Sequence, residues 1–173
     1  QSLDAGAAGV IVPLIETAEQ AAKAVSYSHY PPHGERSGGG VRPLMAGFGA
    51  YMAWTKNIVC AVMIETKLGL KNCAEIARTP GVDMVFIGTG DLAISLDGAA
   101  NLIEKACADV LKQCRAASMP CGIFTKDAED AANRLRQGYA FVTVASDITV
   151  VGQGFSAAVR PPEGHKKKQT KRT

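Results

Sequence analysis

Two carboxylates stand where a parallel α/β fold places its chemistry: Glu65 closes the apolar run AVMIE, and Asp91 follows VFIGTG. Each comes at the carboxyl end of a run that reads as a buried strand. Neighbouring parallel strands lie about 4.8 Å apart, so carboxylates at adjacent strand ends converge on one hard divalent cation. Open positions then remain for water and an oxygen-rich substrate, which suits Mg²⁺, Mn²⁺ or Co²⁺ better than a structural zinc. Acidic residues at strand ends also cap helices, and the spacing alone leaves both readings open.

The turn that carries Asp91 adds a second feature. Gly88 and Gly90 free the backbone to approach a ligand and to aim N–H groups at an anion such as a carboxylate. It reads equally well as an ordinary tight turn before a helix, and neither GxxxxGK[ST] nor GxGxxG is present. His29 and His33 have i, i+4 spacing, but Pro31 and Pro32 prevent a helix from presenting them together. Ser37 beside GGG lacks a G-x-S-x-G elbow. Phe48, Tyr51 and Trp54 read as loop packing, and Arg36 and Arg42 as solvated loop arginines rather than contacts to an anionic substrate.

The elements that must position these groups follow from periodicity and caps. Strands are expected at Val10–Val12, Ala61–Ile64, Met84–Ile87, Gly122–Phe124 and Phe141–Val144. Helices are expected over Thr17–Tyr27, Leu68–Arg78, Leu102–Ser118 and Asp127–Gln137, the first opened by the capping box Thr17-Ala-Glu-Gln20 and the last stopped by Gly138. Repeated βα units of this kind build a parallel sheet covered by helices, either an open doubly wound sheet or part of a (β/α)8 barrel. The segment Tyr30–Lys56, with a short helix expected around Leu44–Trp54, reads as a functional loop at the carboxyl ends of the strands. Ser2–Ala8 reads as the end of a helix running into Gly9, so further chain is expected ahead of it. A barrel takes about 250 residues, with 200 near the lower limit, so five strands do not close one.

Composition narrows the class. The chain has 173 residues, 47% hydrophobic and 20% charged, which fits one globular domain and excludes disorder and coiled coil. No apolar run approaches the roughly 18 to 20 residues of a membrane span. The opening QSLDAGAAGV lacks signal-peptide character, which points to the cytoplasm. The five cysteines form no CxxC pair and read as small core residues. The net charge of +3 hides an asymmetry: Lys166, Lys167, Lys168, Lys171 and Arg172 all lie in the final HKKKQTKRT, and without them 14 basic residues face 16 acidic ones. Residues 161–173 therefore read as a disordered basic tail on a folded domain of residues 1–160. An interaction protein that uses this tail on nucleic acid or anionic surfaces gains no support from the acidic body.

The succession LDAGAAGVIVPLIETAEQA, YPPHGERSGGG and VMIETKLGLKNCAEIARTPGVDMVFIGTGDL resembles the HpcH/HpaI aldolase family, the metal-dependent class II pyruvate aldolases of 2-keto-3-deoxy sugar acids and 2,4-dihydroxyhept-2-ene-1,7-dioate. The resemblance runs from about Ser2 to Val151. It implies an α/β (β/α)8 TIM barrel, here incomplete with about five βα units, a Mg²⁺, Mn²⁺ or Co²⁺ cofactor, and homo-oligomers that exchange a terminal helix. By position it implies Glu65 and Asp91 as metal ligands, and Gly90 (through its backbone) and Asp91 as contacts to pyruvate. The implied reaction cleaves a 2-keto-4-hydroxy acid to pyruvate and an aldehyde through a metal-stabilised pyruvate enolate.

The chain departs from the family pattern in three places. Met63 stands where the family has a glutamine, and the connection ISLDGAANLIEK is shorter than the usual insert. The family's first three strands are missing, and with them its catalytic histidine, the base, and the arginine that steadies the enolate. The alternative reading is thus a catalytically incomplete fragment or degenerate member that binds metal, ligand or partner without turnover. A citrate-lyase β-like branch acting on CoA thioesters shares the barrel and carboxylate pair, but no separate CoA-binding signature favours it.

Overall fold

A computed structural model describes residues 1–38, 45 and 47–159. Five strands, β1 (Gly9–Val12), β2 (Val59–Ile64), β3 (Met84–Ile87), β4 (Cys121–Ile123) and β5 (Phe141–Val142), form one sheet in that order, every pair parallel. The helices are α1 (Ala18–Ser28), α2 (Phe48–Thr55), α3 (Lys67–Ile76), α4 (Thr89–Ser95), α5 (Ala100–Ala116), α6 (Ala128–Gln137) and α7 (Asp147–Ala158). A doubly wound sheet reverses its strand order at a switch point, and this one does not. The sheet is therefore an arc of a (β/α) barrel, with no strand beyond β1 or β5 among the described residues.

Helix ends follow local chemistry. Thr17 and Gln20 form the reciprocal capping box expected for α1, while Thr66, Asp127 and Ser146 accept hydrogen bonds from the first turns of α3, α6 and α7. Gly138 ends α6 at a φ of 95°, the left-handed conformation that glycine adopts without a Cβ penalty. Strand alternation sends Val62, Ile64, Val85, Ile87 and Ile123 to the helix side, where they pack with Cys73, Ile76, Val110, Leu111 and Cys114. This layer is the core. All five cysteines are free and buried, as expected.

The other face is concave and open. Register aligns Ile11 with Ala61 and Met84, and Met63 with Phe86, Gly122 and Phe141, in rows that point away from the helices. Along this face Ile11, Val59 and Phe141 remain 40%, 43% and 46% exposed.

Four expectations change. Ser2–Gly6 form turns, with the Ala5 N–H bonded to the Gln1 carbonyl at 2.9 Å, rather than the end of a helix. Two helices, α4 and α7, arise where none was expected. The described residues of the Tyr30–Lys56 segment lie at the amino ends of the strands, because the segment connects a helix to the next strand: Thr55, Lys56, Pro80 and Gly81, which precede β2 and β3, share a cavity of about 660 Å³ with His29, Tyr30 and His33. Finally, Arg36 is buried rather than solvated; it donates to Asp4 at 2.6 Å and Tyr51 at 2.9 Å, and its guanidinium lies 4.6 Å from the Tyr30 ring centre. Tyr51 also stacks on Trp54, so these two aromatics pack the loop, as expected, whereas Phe48 stays 69% exposed rather than packed. Arg42, Leu44 and residues 161–173 lie outside the described residues.

Ile87 is fully buried at the centre of the sheet. Ile87→Ala is expected to lower the unfolding free energy by about 2 to 5 kcal/mol, the cost of the lost burial plus the cavity, which urea denaturation measures.

Candidate metal centre

Strand pairing brings Glu65 and Asp91 together. β2 and β3 are neighbours with Ile64 registered on Ile87, so the residues that follow each strand emerge side by side at the carboxyl rim. Glu65 leaves β2 with the same parity as Met63 and so turns toward the concave face. Gly88 leaves β3, its N–H bonded to the Ile64 carbonyl at 3.3 Å, and opens α4, whose first turn carries Asp91.

The Glu65 carboxylate is 2% exposed. Its Oε1 accepts a 2.7 Å hydrogen bond from the backbone N–H of Leu14, just beyond β1. Three consecutive strands thus contribute to one carboxylate. Leu14 stands at a φ of 56°, a left-handed conformation that a residue with a branched side chain adopts at a cost. Burial pushes the Glu65 carboxyl above its usual range; the Leu14 hydrogen bond opposes that shift, and the charge and hydrogen bonding of Asp91 add to it. A carboxylate whose proton affinity is raised by burial and by a neighbouring carboxylate is one that a cation in the proton's place would suit.

The rest of the rim is polar and ordered. Glu16 accepts a 2.8 Å hydrogen bond from Thr66, and the Thr125 N–H donates to Thr143 Oγ1 at 2.8 Å across the ends of β4 and β5. Gly90 lies exposed in the first turn of α4, and a Cβ there would meet nothing within 4 Å, so the space beside Asp91 is open. No group of three or more His, Cys, Asp or Glu side chains is arranged to hold a metal among the described residues, which leaves the carboxylate pair with positions to fill from water or substrate. His29 and His33 belong to the amino-end cavity and do not join it.

Sequence reasoning found both carboxylates and missed the groups that aim Glu65. Leu14 gave no signal, because its contribution is a backbone N–H in an unusual conformation. Gly88 was visible as a glycine, but the contact that demands it was not.

Since the folded state holds a proton on Glu65 more tightly than the unfolded chain does, this group's contribution to stability is present below its ordinary pKa and is lost as pH rises through the elevated folded value. Without added metal, Glu65→Gln is expected to lack the loss of stability that the parent shows as pH rises from the ordinary carboxylate pKa through the raised folded value. Added Mn²⁺ is expected to stabilise the parent and leave Glu65→Gln unchanged. Thermal melting across pH, with and without Mn²⁺, measures both.

Comparison with known proteins agrees with this architecture. Residues 1–153 match the profile of the HpcH/HpaI aldolase/citrate lyase family. The chain is 37% identical over 159 residues to 2-dehydro-3,6-dideoxy-6-sulfogluconate aldolase of Pseudomonas putida, covering 87% of the chain and 62% of that protein. It is 38% identical over 163 residues to 4-hydroxy-2-oxovalerate aldolase of Rhodococcus jostii (strain RHA1), covering 91% and 63%. The crystal structure of a HpcH/HpaI aldolase/citrate lyase family protein from Burkholderia cenocepacia J2315 superposes with a TM-score of 0.82 at 33% identity, over 91% of this chain and 65% of that one. The chain thus spans less than two thirds of the length of these relatives, and it belongs to the HpcH/HpaI aldolase/citrate lyase family.

Proposed function

We propose that this chain carries the metal-binding part of an aldolase site that cleaves a 2-keto-4-hydroxy acid to pyruvate and an aldehyde. The observation that carries the reading is the buried Glu65 carboxylate, held beside Asp91 at the ends of adjacent strands. Relatives named for cleavage of 4-hydroxy-2-oxovalerate, a 2-oxo acid with a hydroxyl at C4, support the substrate class. The residues fit a hard divalent cation such as Mg²⁺, Mn²⁺ or Co²⁺: two carboxylates, no competing thiolate or imidazole at the rim among the described residues, and open space beside Gly90. When bound, such a cation supplies a Lewis acid for the keto oxygen and carboxylate of the substrate.

The chain's own residues bind and orient. Glu65 and Asp91 hold the cation, and the exposed backbone at Gly90 and Asp91 receives the pyruvate carboxylate. Leu14 keeps Glu65 aimed across the rim. The proton step needs a group from elsewhere, because His29 and His33 sit at the opposite end of the sheet. That placement favours a second reading, metal and ligand binding without turnover by this chain alone.

A homo-oligomer belongs to the same proposal. Ile148, Val151, Phe155 and Val159 recur along one side of α7 and are all more than half exposed, a pattern suited to burial against another copy. Free thiols at all five cysteines fit the reducing cytoplasm. No helix among the described residues is long and apolar enough to cross a membrane.

Calorimetric titration of Mn²⁺, with and without the pyruvate analogue oxalate, tests the reading. Binding that tightens with oxalate and vanishes in Glu65→Ala is expected; no binding by folded chain would overturn it. Pyruvate release from 4-hydroxy-2-oxovalerate, abolished by EDTA, separates turnover from binding. For α7, Phe155→Asp is expected to lower the mass measured by light scattering.

A further inference from the structure

Gly88 occupies a position where glycine is not what the backbone asks for. Its φ of −84° and ψ of 90° are accessible to any residue, so no left-handed turn requires it. It is also the N-cap of α4, a place where Ser, Thr, Asp or Asn stabilises a helix through a side-chain hydrogen bond. Thr17, Thr66, Asp127 and Ser146 make that bond at α1, α3, α6 and α7, whereas Gly47, Gly88 and Ala99, at α2, α4 and α5, make none. The chain forgoes a cap here and keeps the flexibility cost of glycine as well.

The reason lies across the strand. A Cβ on Gly88 would stand well inside 3.0 Å of Glu65 Oε2, 2.7 Å from Met63 Sδ and 3.2 Å from Glu65 Cβ. The missing side chain is thus the space into which the Glu65 carboxylate reaches. One oxygen of that carboxylate is fixed by the Leu14 N–H, and the other lies over the Gly88 backbone, on the path to Asp91 in the next helical turn. Met63 Sδ borders the same space, so a Cβ there has to displace the Glu65 carboxylate, the thioether or both.

We propose that Gly88 is a positioning residue for the carboxylate pair: its absent side chain lets Glu65 lie across the end of β3 toward Asp91, and any larger residue turns Glu65 away. The inference rests on the metal-binding reading above and adds the residue that sets the ligand's aim.

The decisive variant is Gly88→Ser, because the two roles pull it in opposite directions. As a helix cap, serine raises or preserves the melting temperature. As an intrusion into the Glu65 space, it weakens Mn²⁺ binding by about tenfold or more, the range seen when groups that orient metal ligands are changed. A folded Gly88→Ser with Mn²⁺ affinity reduced to that extent is the expected result, read by calorimetry on the full chain alongside circular dichroism. Affinity within twofold of the parent overturns the proposal. If Gly88→Ser does not fold, Gly88→Ala/Met63→Ala, in which the sulfur's place is vacant, takes over: folded with binding lost supports the role, and folded with parental binding overturns it. Loss of fold in both also overturns it, since the glycine then serves the barrel and not the carboxylate. A parent chain that binds no Mn²⁺ refutes the metal-binding reading itself, an outcome separate from all of these.

Discussion

One buried carboxylate organises this molecule. Glu65 is taken almost entirely out of water at the end of β2, and a carboxylate in that position must find partners or be neutralised. Leu14 supplies an N–H from β1's end, Gly88 leaves room at β3's end, and Asp91 follows within a helical turn. These groups come from three successive strands, so the sheet has to pair in sequence order before the carboxylate is satisfied. The left-handed conformation at Leu14 is a local cost sustained by that arrangement, the kind of strain that persists where surrounding structure dictates it.

Much of this was legible in the chain itself. The five strands and five of the seven helices were expected, because buried parallel strands and amphipathic helices leave strong periodic signals. Glu65 and Asp91 were legible because acidic residues directly after such runs are few. The position of the Tyr30–Lys56 segment was misread: its length suggested a ligand loop, but it follows α1 and precedes β2, and chain direction in a parallel sheet puts such a connection at the amino ends. Arg36 was misread for a related reason, since its partners Asp4 and Tyr51 are distant in sequence. α4 and α7 escaped notice because one is short and the other is apolar on a side that nothing in the described chain covers.

The helix-side layer and the concave face differ in completeness. The former is a closed core of aliphatic side chains and thiols. On the latter, Phe86 is buried and meets the Phe141 ring edge to face at 6.1 Å, while Ile11 and Phe141 stay partly open. Parallel sheets are ordinarily covered on both faces. The open edges of β1 and β5 and the apolar concave rows therefore form one continuous surface suited to further strands of the same barrel, in keeping with the greater length of the relatives.

The strictly sequential order of the sheet also bears on how the site comes into being. Ala61 pairs with Met84 and Ile11 with Ala61, so every contact that aims Glu65 joins neighbouring βα units, with no loop closed across the whole chain. The Leu14–Glu65 contact closes a separation of 51 residues, and the entropic cost of closure rises only slowly with loop length. The groups that bring the carboxylate pair together therefore all lie in one contiguous stretch from Leu14 to Asp91, and none of them comes from β4 or β5.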